Sequence, residues 1–120
     1  MTRRMSCSMT VDAVRARTKT VTRRHVDTWK DLKPGDRLTL IEKGMGLPKG
    51  ARQVVLAQVE ILDVRVELII DAITERDAMR SEGVADLTPT DFARWWAATH
   101  GYYGVLPQRV PCRRIEWRYL

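Results

Sequence analysis

The sequence predicts an α+β fold, a small and strongly bent mixed β-sheet or barrel with short helices at its periphery. Segments in which apolar and polar residues alternate are typical of half-buried strands, and they occur near both ends of the 120-residue chain. Helix signals are confined to short segments between the strands. The sequence has neither a regular strand–helix alternation nor a glycine-rich phosphate loop, which excludes a dinucleotide-binding or P-loop fold. The length suits one domain, spanning residues 1–120.

Each element follows from its local pattern. Strands are predicted, in chain order, over residues 4–9, 37–42, 53–66 and 114–120. Helices are predicted over residues 11–16 and 74–81 and from residue 88 onward, with a short helical turn at 27–29. The strand over 53–66 is rich in Val and Ile and long enough to bend or bulge. Turn and loop residues occupy 33–36, 44–50 and 101–107, where Gly and Pro are frequent.

Capping residues define the helix ends. Thr10 precedes the first helix as an N-cap, and Thr74 to Asp77 resembles a capping box. Gly83 supplies a left-handed residue after that second helix, and Thr88 followed by Pro begins the third. Within the third helix Phe92, Trp95, Trp96 and Thr99 share one face. We expect this aromatic stripe to pack in the core, not to stack on a base.

Charge is distributed unevenly along the chain. Residues 1–30 hold eight Lys or Arg and two Asp, whereas residues 31–120 are neutral, so the first segment carries the whole net charge of +6. Such asymmetry favours a phosphate-bearing or polyanionic partner, although basic termini also serve solubility. The apolar runs are too short to cross a membrane, so we expect no membrane association. The absence of a signal peptide predicts a cytoplasmic protein, and we expect a monomer or weak dimer.

Cysteines and histidines form no cluster. Cys7 and Cys112 are far apart in sequence and lack a CxxC or Cys/His pattern, so neither a metal nor another cofactor is expected. We expect both thiols to be buried in the core. His25 and His100 lie beside predicted loops without a partner pattern, and we expect both at the surface.

Residues 17–24, with the sequence RTKTVTRR, are the most informative segment. In an extended chain Lys19 and Thr22 point to opposite faces, but a turn within the segment would bring both to one concave site. There they could act as cation and nucleophile, or hold an anionic ligand. The alternative interpretation is a solvated basic edge strand, a common protection against edge pairing.

The chain resembles the ASCH domain, a member of the PUA-like β-barrel superfamily. The family signature G-x-K-x-x-E-x-R aligns with residues 17–24, where Lys19 and Arg24 match while Arg17 replaces Gly and Thr22 replaces Glu. The turn at 33–36, the strand over 61–66, the helical segment from residue 74 and the strand over 114–120 extend the similarity over nearly the whole chain. The resemblance therefore implies a PUA-like barrel.

In having Thr22 where the signature has Glu, the chain is similar to small bacterial ASCH amidohydrolases, which also have Thr at that position in a Lys-Thr-x-Thr run. They remove an acyl group from the exocyclic amine of cytidine with Lys, Thr and Glu. The resemblance implies that Lys19, Thr22 and Glu82 are catalytic: Thr22 as nucleophile, Lys19 as its base, and Glu82 orienting Lys19 or protonating the leaving amine. Structural roles stay open for all three. Lys19 and Glu82 could form only a surface or semi-buried ion pair, Thr22 could be an ordinary strand threonine, and Glu82 could be a solvated residue at a helix end.

Further residues are candidates for binding. Arg17, Arg23 and Arg24 could hold a phosphate or a carbonyl oxygen, and Trp29 or Tyr103 could stack on a base. Three functions remain open at this point: an amidohydrolase acting on an acylated nucleoside, a non-catalytic RNA- or nucleotide-binding module with a ribonuclease as its variant, and a small structural or host-interaction protein. A metal-dependent nuclease is not indicated, because no acidic cluster is evident.

Overall fold

The computed structural model describes residues 3–44 and 46–120, which form an α+β fold around a curled, half-barrel sheet. The strands are β1 (Arg3–Ser6), β2 (Val21–Arg24), β3 (Arg37–Ile41), β4 (Val55–Leu68) and β5 (Pro111–Tyr119). The helices are α1 (Val11–Arg15), α2 (Asp71–Thr74), α3 (Ala78–Glu82) and α4 (Pro89–Thr99), with a 3₁₀ turn at Pro107–Arg109. The predicted class, a small bent mixed sheet with short peripheral helices, is confirmed.

The strands lie in the order β1-β3-β4-β5-β2, so β1 and β2 are the two edges. β1 runs parallel to β3, and every other neighbouring pair is antiparallel, which makes the sheet mixed. The pairing of β4 with β5 shifts register between Ile61 and Asp63. An extra residue of this kind bends a strand and increases its twist, so β4 bends as its length predicted.

The buried apolar residues form two separate cores. The first, within the curl of the sheet, contains Met5, Leu38, Leu40, Ile115 and Trp117 among others. The second lies under the helices, and its members include Ile69, Met79, Phe92, Trp96 and Cys112. Cys7 belongs to the first core, so the prediction that both free thiols are buried is confirmed.

The helix caps are only partly as predicted. Thr88 accepts a hydrogen bond from the backbone N–H of Asp91, and Gly83 ends α3 with a φ of +85°, which confirms both signals. Thr10 stands at the N-cap of α1 but its hydroxyl makes no capping bond. The capping box is wrong: Thr74 is the last residue of α2, and Asp77 precedes α3 in a left-handed conformation with a φ of +55°.

Other boundaries also differ from the sequence pattern. β1 ends at Ser6 rather than at residue 9, because the chain turns there and the N–H of Thr10 bonds the carbonyl oxygen of Cys7 at 3.0 Å. The predicted helical turn at 27–29 is a set of non-helical turns, with Trp29 at a φ of +56°. The turn at 33–36 forms as predicted, around Gly35 at a φ of +91°.

Candidate functional site

A cavity of about 500 Å³ opens where the two edge strands approach each other. Arg24 spans the gap between them: its Nη2 donates to the carbonyl oxygen of Ser6 at 2.5 Å. Polar residues of the lining come from β1 and the segment after it, from β2 and the residues just before it, from the end of α3 and from α4, and they include Lys19, Thr22, Arg24, Glu82 and Asp91. The aromatic part comes from α4.

Lys19 is a deeply buried cation of this lining, with 3% of its surface exposed. Its Nζ donates to the carbonyl oxygen of Val21 at 2.9 Å and to that of Glu82 at 2.6 Å, and it lies 3.4 Å from Oε2 of Glu82. Burial lowers the pKa of Lys19 and Arg24 acts in the same direction, whereas Glu82 and Cys7 oppose the shift. A buried amine with a lowered pKa can serve as a general base.

The backbone around Lys19 is held by two elements that are distant in sequence. Its carbonyl oxygen accepts bonds from Nε1 of Trp117 at 3.1 Å and from the hydroxyl of Tyr119, both in β5. The next N–H, of Thr20, donates to the carbonyl oxygen of Ser81 in α3 at 2.8 Å. Because β2 begins only at Val21, Lys19 is free of the strand alternation, and its Nζ reaches the carbonyl oxygen of Val21 while both Lys19 and Thr22 line the cavity. The predicted convergence within residues 17–24 therefore occurs.

Thr22 lies in the middle of β2 with 5% of its surface exposed, and it lines the cavity. Its Oγ1 accepts a hydrogen bond from Nε of Arg24 at 3.3 Å. A guanidinium that donates to a hydroxyl oxygen stabilises negative charge developing on that oxygen. Burial lowers the pKa of Arg24, and within the described residues no carboxylate pairs with its guanidinium.

Glu82 is the last residue of α3, and its side chain is 5% exposed. Its position depends on Gly83, where an added Cβ would lie 2.9 Å from the Cβ of Ala13 in α1. The absence of a side chain at Gly83 lets α1 and α3 approach closely, and this contact holds Glu82 beside Lys19. Oε1 of Glu82 accepts a bond from Nη1 of Arg23 at 3.2 Å, so the carboxylate lies between two cations.

Arg23 borders the cavity, but its guanidinium is fully buried. Its three nitrogens each contact a different carboxylate: Nε with Glu67 at 2.9 Å, Nη2 with Glu75 at 3.0 Å and Nη1 with Glu82 at 3.2 Å. Although burial opposes it, the three carboxylates together raise the pKa of Arg23. Arg23 was expected to bind a ligand, yet the structure uses it inside the protein.

Three other predicted binding residues do not line the cavity. Arg17 is exposed, with its guanidinium carbon 5.5 Å from the ring centroid of Tyr119. Trp29 packs against the first core, and the guanidinium of Arg3 lies 4.4 Å from its ring centroid. Tyr103 is 89% exposed in the loop after α4. These side chains are of types that can bind a phosphate or stack on a base, but the sequence does not show where they lie relative to β2.

The aromatic side chains that do line the cavity belong to α4, and sequence reasoning had assigned them to the core alone. Phe92 and Trp96 are buried, whereas Trp95 is 36% exposed. His100 also lines the cavity: its ring stacks on that of Trp96 at 3.8 Å, and burial lowers its pKa. His100 is thus partly exposed, as expected, and it also lines the cavity, which the sequence did not predict. The spacing of residues 92, 95, 96 and 100 along one helix was the available signal.

Neither a metal centre nor a membrane span is found in the part of the chain that the structure describes. Residues 3–44 and 46–120 contain no group of three or more His, Cys, Asp or Glu side chains placed to hold a metal ion. Over the same residues, every helix falls short of the length and apolar character that crossing a membrane requires.

Comparison with known proteins shows a shared fold. No family model matches the chain, and no curated protein matches it. The crystal structure of hypothetical protein PH0355 aligns over 100% of both chains with a TM-score of 0.66 and 14% identity. Protein EF3133 from Enterococcus faecalis V583, of family DUF984, aligns over 100% of this chain and 80% of its own, with a TM-score of 0.66 and 13% identity. At these identities the likeness concerns the fold alone.

Proposed function

We propose that this chain is an ASCH domain of the PUA-like superfamily, and that its cavity hydrolyses an amide on the exocyclic amine of cytidine or a similar base. One observation carries the proposal: Lys19, Thr22 and Glu82 are buried together in the lining of a cavity whose other side is aromatic. Lys19 and Thr22 come from one short segment, and Glu82 comes from a distant part of the sequence. A polar catalytic group facing an apolar, aromatic surface suits a flat base that carries an acyl group.

The backbone at Arg17 supports the family resemblance. Arg17 stands where the signature has Gly, and its φ is +61°, in the left-handed region that glycine adopts without steric cost. A glycine would therefore fit this position without steric cost, as the signature has it. Because Arg17 lies outside the cavity lining, its bulk does not restrict what the cavity can hold.

In the proposed reaction Thr22 forms a transient ester. Its Oγ attacks the acyl carbon, and its proton passes to the neutral amine of Lys19, while the carbonyl electrons move to the oxygen. When the C–N bond breaks, Lys19 returns the proton to the leaving nitrogen. A water molecule then attacks the ester, gives one proton to Lys19 and releases the acid, and Thr22 recovers its proton from Lys19.

The remaining polar groups support these steps. Arg24 donates to Oγ1 of Thr22 and stabilises the negative charge that develops there and on the adjacent oxyanion. Glu82 orients the amine of Lys19 through both its backbone oxygen and its carboxylate. Trp95 and the stacked pair of Trp96 and His100 provide a flat surface for the base.

A chromatographic assay of cytidine release from N4-acylated cytidine tests the proposal. We expect turnover by the wild type and a loss on the order of 10²–10⁴-fold in Lys19→Ala and Thr22→Val, because each removes one partner of the proton transfer. Lys33→Ala is the matched control, since Lys33 is exposed and pairs only locally with Asp36. Full activity in Lys19→Ala would refute the assigned chemistry, and an inactive wild type would refute the reaction.

Nucleotide binding without hydrolysis is the second candidate, and Arg24 favours it. Within the described residues this cavity-lining guanidinium has no carboxylate partner, so a phosphate could take that place. The basic segment contributes less than its charge suggests, because Lys19 and Arg23 are buried and paired with carboxylates. RNA or nucleotide titration at two salt concentrations tests this candidate, since phosphate contacts weaken steeply with salt.

A further inference from the structure

We propose that Arg23 is a positioning residue of the site: by engaging one oxygen of Glu82, it limits the hold of that carboxylate on Lys19 and so keeps Lys19 able to accept a proton. The effect of Arg23 on the ion pair of Lys19 stands by itself, and only the importance of this effect for catalysis rests on the proposed function.

The geometry of Glu82 shows the competition directly. Oε1 contacts Nη1 of Arg23 at 3.2 Å, whereas Oε2 lies 3.4 Å from Nζ of Lys19. One carboxylate is thus divided between two buried cations, and it is the only carboxylate that pairs with Lys19 within the described residues. A carboxylate that served Lys19 alone would hold the ammonium form more strongly.

The other two contacts of Lys19 are compatible with a neutral amine. They are shorter, 2.9 Å to the carbonyl oxygen of Val21 and 2.6 Å to that of Glu82, and both acceptors are backbone oxygens. A neutral amine keeps two N–H groups, which satisfy both carbonyls, and it gives up the third, longest contact, because a lone pair makes no hydrogen bond to a carboxylate. Loss of the proton therefore sacrifices only the interaction that Arg23 already weakens.

Arg23 is itself held so that it cannot leave Glu82. Its guanidinium is fully buried, and Glu67 from β4 and Glu75 from the segment after α2 fix its other two nitrogens. Its backbone carbonyl accepts Nε1 of Trp96 at 2.9 Å, which joins β2 to α4. A guanidinium suits this task because its planar fork reaches three carboxylates at once and it stays charged at every relevant pH.

Other charged or titratable groups also face Lys19, and they enter the same balance. Arg24 in β2 lowers its pKa, while Cys7, after β1, and Glu82 in α3 raise it. From β5, the hydroxyl of Tyr119 contacts the carbonyl oxygen of Lys19. Of the two arginines of β2 near Lys19, Arg23 shares a carboxylate with it, whereas Arg24 pairs with no carboxylate within the described residues.

The test measures the titration of Lys19 by ¹³Cε NMR, which the small number of lysines, five, makes tractable. The signal is assigned by its absence in Lys19→Met. In Arg23→Met we expect its midpoint to rise by about one pH unit or more, because Glu82 then serves Lys19 alone. Arg65→Met is the matched control: Arg65 belongs to the same network, pairing with Asp63, Glu67 and Glu75, but does not contact Glu82. An unchanged midpoint in Arg23→Met, or an equal rise in Arg65→Met, would overturn the proposal.

A second variant decides the question where Arg23→Met does not fold. Glu67→Gln keeps Arg23 but removes one of its carboxylates, so Arg23 binds Glu82 more closely and the midpoint of Lys19 should fall. Asp63→Asn is its control, because Asp63 pairs with Arg65 and Arg114 but not with Arg23. A midpoint that stays constant or rises in Glu67→Gln would count against the proposal.

Turnover provides a separate readout that distinguishes this inference from the proposed function. In an active enzyme the ascending limb of the kcat/KM profile should move with the Lys19 midpoint, upward in Arg23→Met. If the wild type hydrolyses no acylated cytidine, the reaction is refuted while the NMR titration still decides the role of Arg23. If turnover is present but its pH profile does not follow the midpoint, Arg23 has no positioning role in catalysis.

Discussion

Replacement of Lys19 by Met tests the state of the buried amine through the stability of the protein. Burial lowers the pKa of Lys19, so between that lowered value and the pKa of about 10.4 of a free lysine the folded protein binds fewer protons than the unfolded chain. In this window the wild type becomes more stable as pH rises, by up to about 1.4 kcal/mol for each pH unit. Lys19→Met has no proton at this position and lacks the effect.

The measurement is urea unfolding followed by tryptophan fluorescence, at several pH values from about 7 to about 10. The difference in unfolding free energy between wild type and Lys19→Met should grow with pH. Taking this difference cancels the contribution of the titratable groups that both proteins share. At the lowest pH we expect the variant to be less stable by about 1–3 kcal/mol, because two buried carbonyl oxygens lose their donor. Lys33→Met is the control, since its side chain is 75% exposed.

Parallel stability curves for wild type and Lys19→Met would refute the reasoning. They would mean that Lys19 keeps an ordinary pKa in the fold and remains an ammonium at neutral pH. In that case the amine could not accept a proton from Thr22, and the catalytic interpretation would lose its base. A growing difference would locate the lowered pKa at the pH where the growth begins.

Three further predictions concern other parts of the molecule. Gly83→Ala should destabilise the protein by about 1–3 kcal/mol more than Gly35→Ala in chemical denaturation, because both glycines have positive φ but only at Gly83 would the methyl group collide with a neighbour. Cys7 and Cys112 should resist a thiol reagent until the protein unfolds, because burial raises the pKa of Cys7 and that of Cys112 to about 12; rapid native labelling would contradict this. Trp95→Ala should weaken the binding of an aromatic ligand by about 1–3 kcal/mol in a fluorescence titration, with little change in stability, and equal affinity would exclude a stacking role.

The fold class and the convergence of the basic segment could be predicted because they depend on local patterns. Strand alternation and the caps at Gly83 and Thr88 are encoded within a few residues. Lys19 and Thr22 can line the same cavity because β2 begins between them, so that only Thr22 follows the strand alternation. Glu82, by contrast, was predicted as a site residue only from the family resemblance, because it is distant in sequence from Lys19 and no local pattern indicates that the two are neighbours.

What could not be predicted depends on how elements pack. The burial of Arg23 could not be predicted, because the three carboxylates that pair with its guanidinium come from three distant segments. The aromatic face of α4 was expected in the core, and Phe92 and Trp96 are indeed buried, but the cavity beside them is a product of the tertiary structure. The capping box failed because Thr74 bonds the carbonyl oxygen of Asp71 within α2, a competing local arrangement that ends one helix where the pattern began another.

The pairing of β2 with β5 also determines when during synthesis the cavity can exist. β2 emerges early from the ribosome, yet its neighbour in the described sheet is β5, with Thr22 opposite Ile115. The carbonyl oxygen of Lys19 likewise accepts hydrogen bonds from Trp117 and Tyr119, which are among the last residues of the chain to be synthesised. A nascent chain that lacks β5 therefore leaves β2 without its partner strand and the backbone carbonyl of Lys19 without two of its hydrogen bonds. The lining of the cavity is complete only when translation has delivered the strand that holds it.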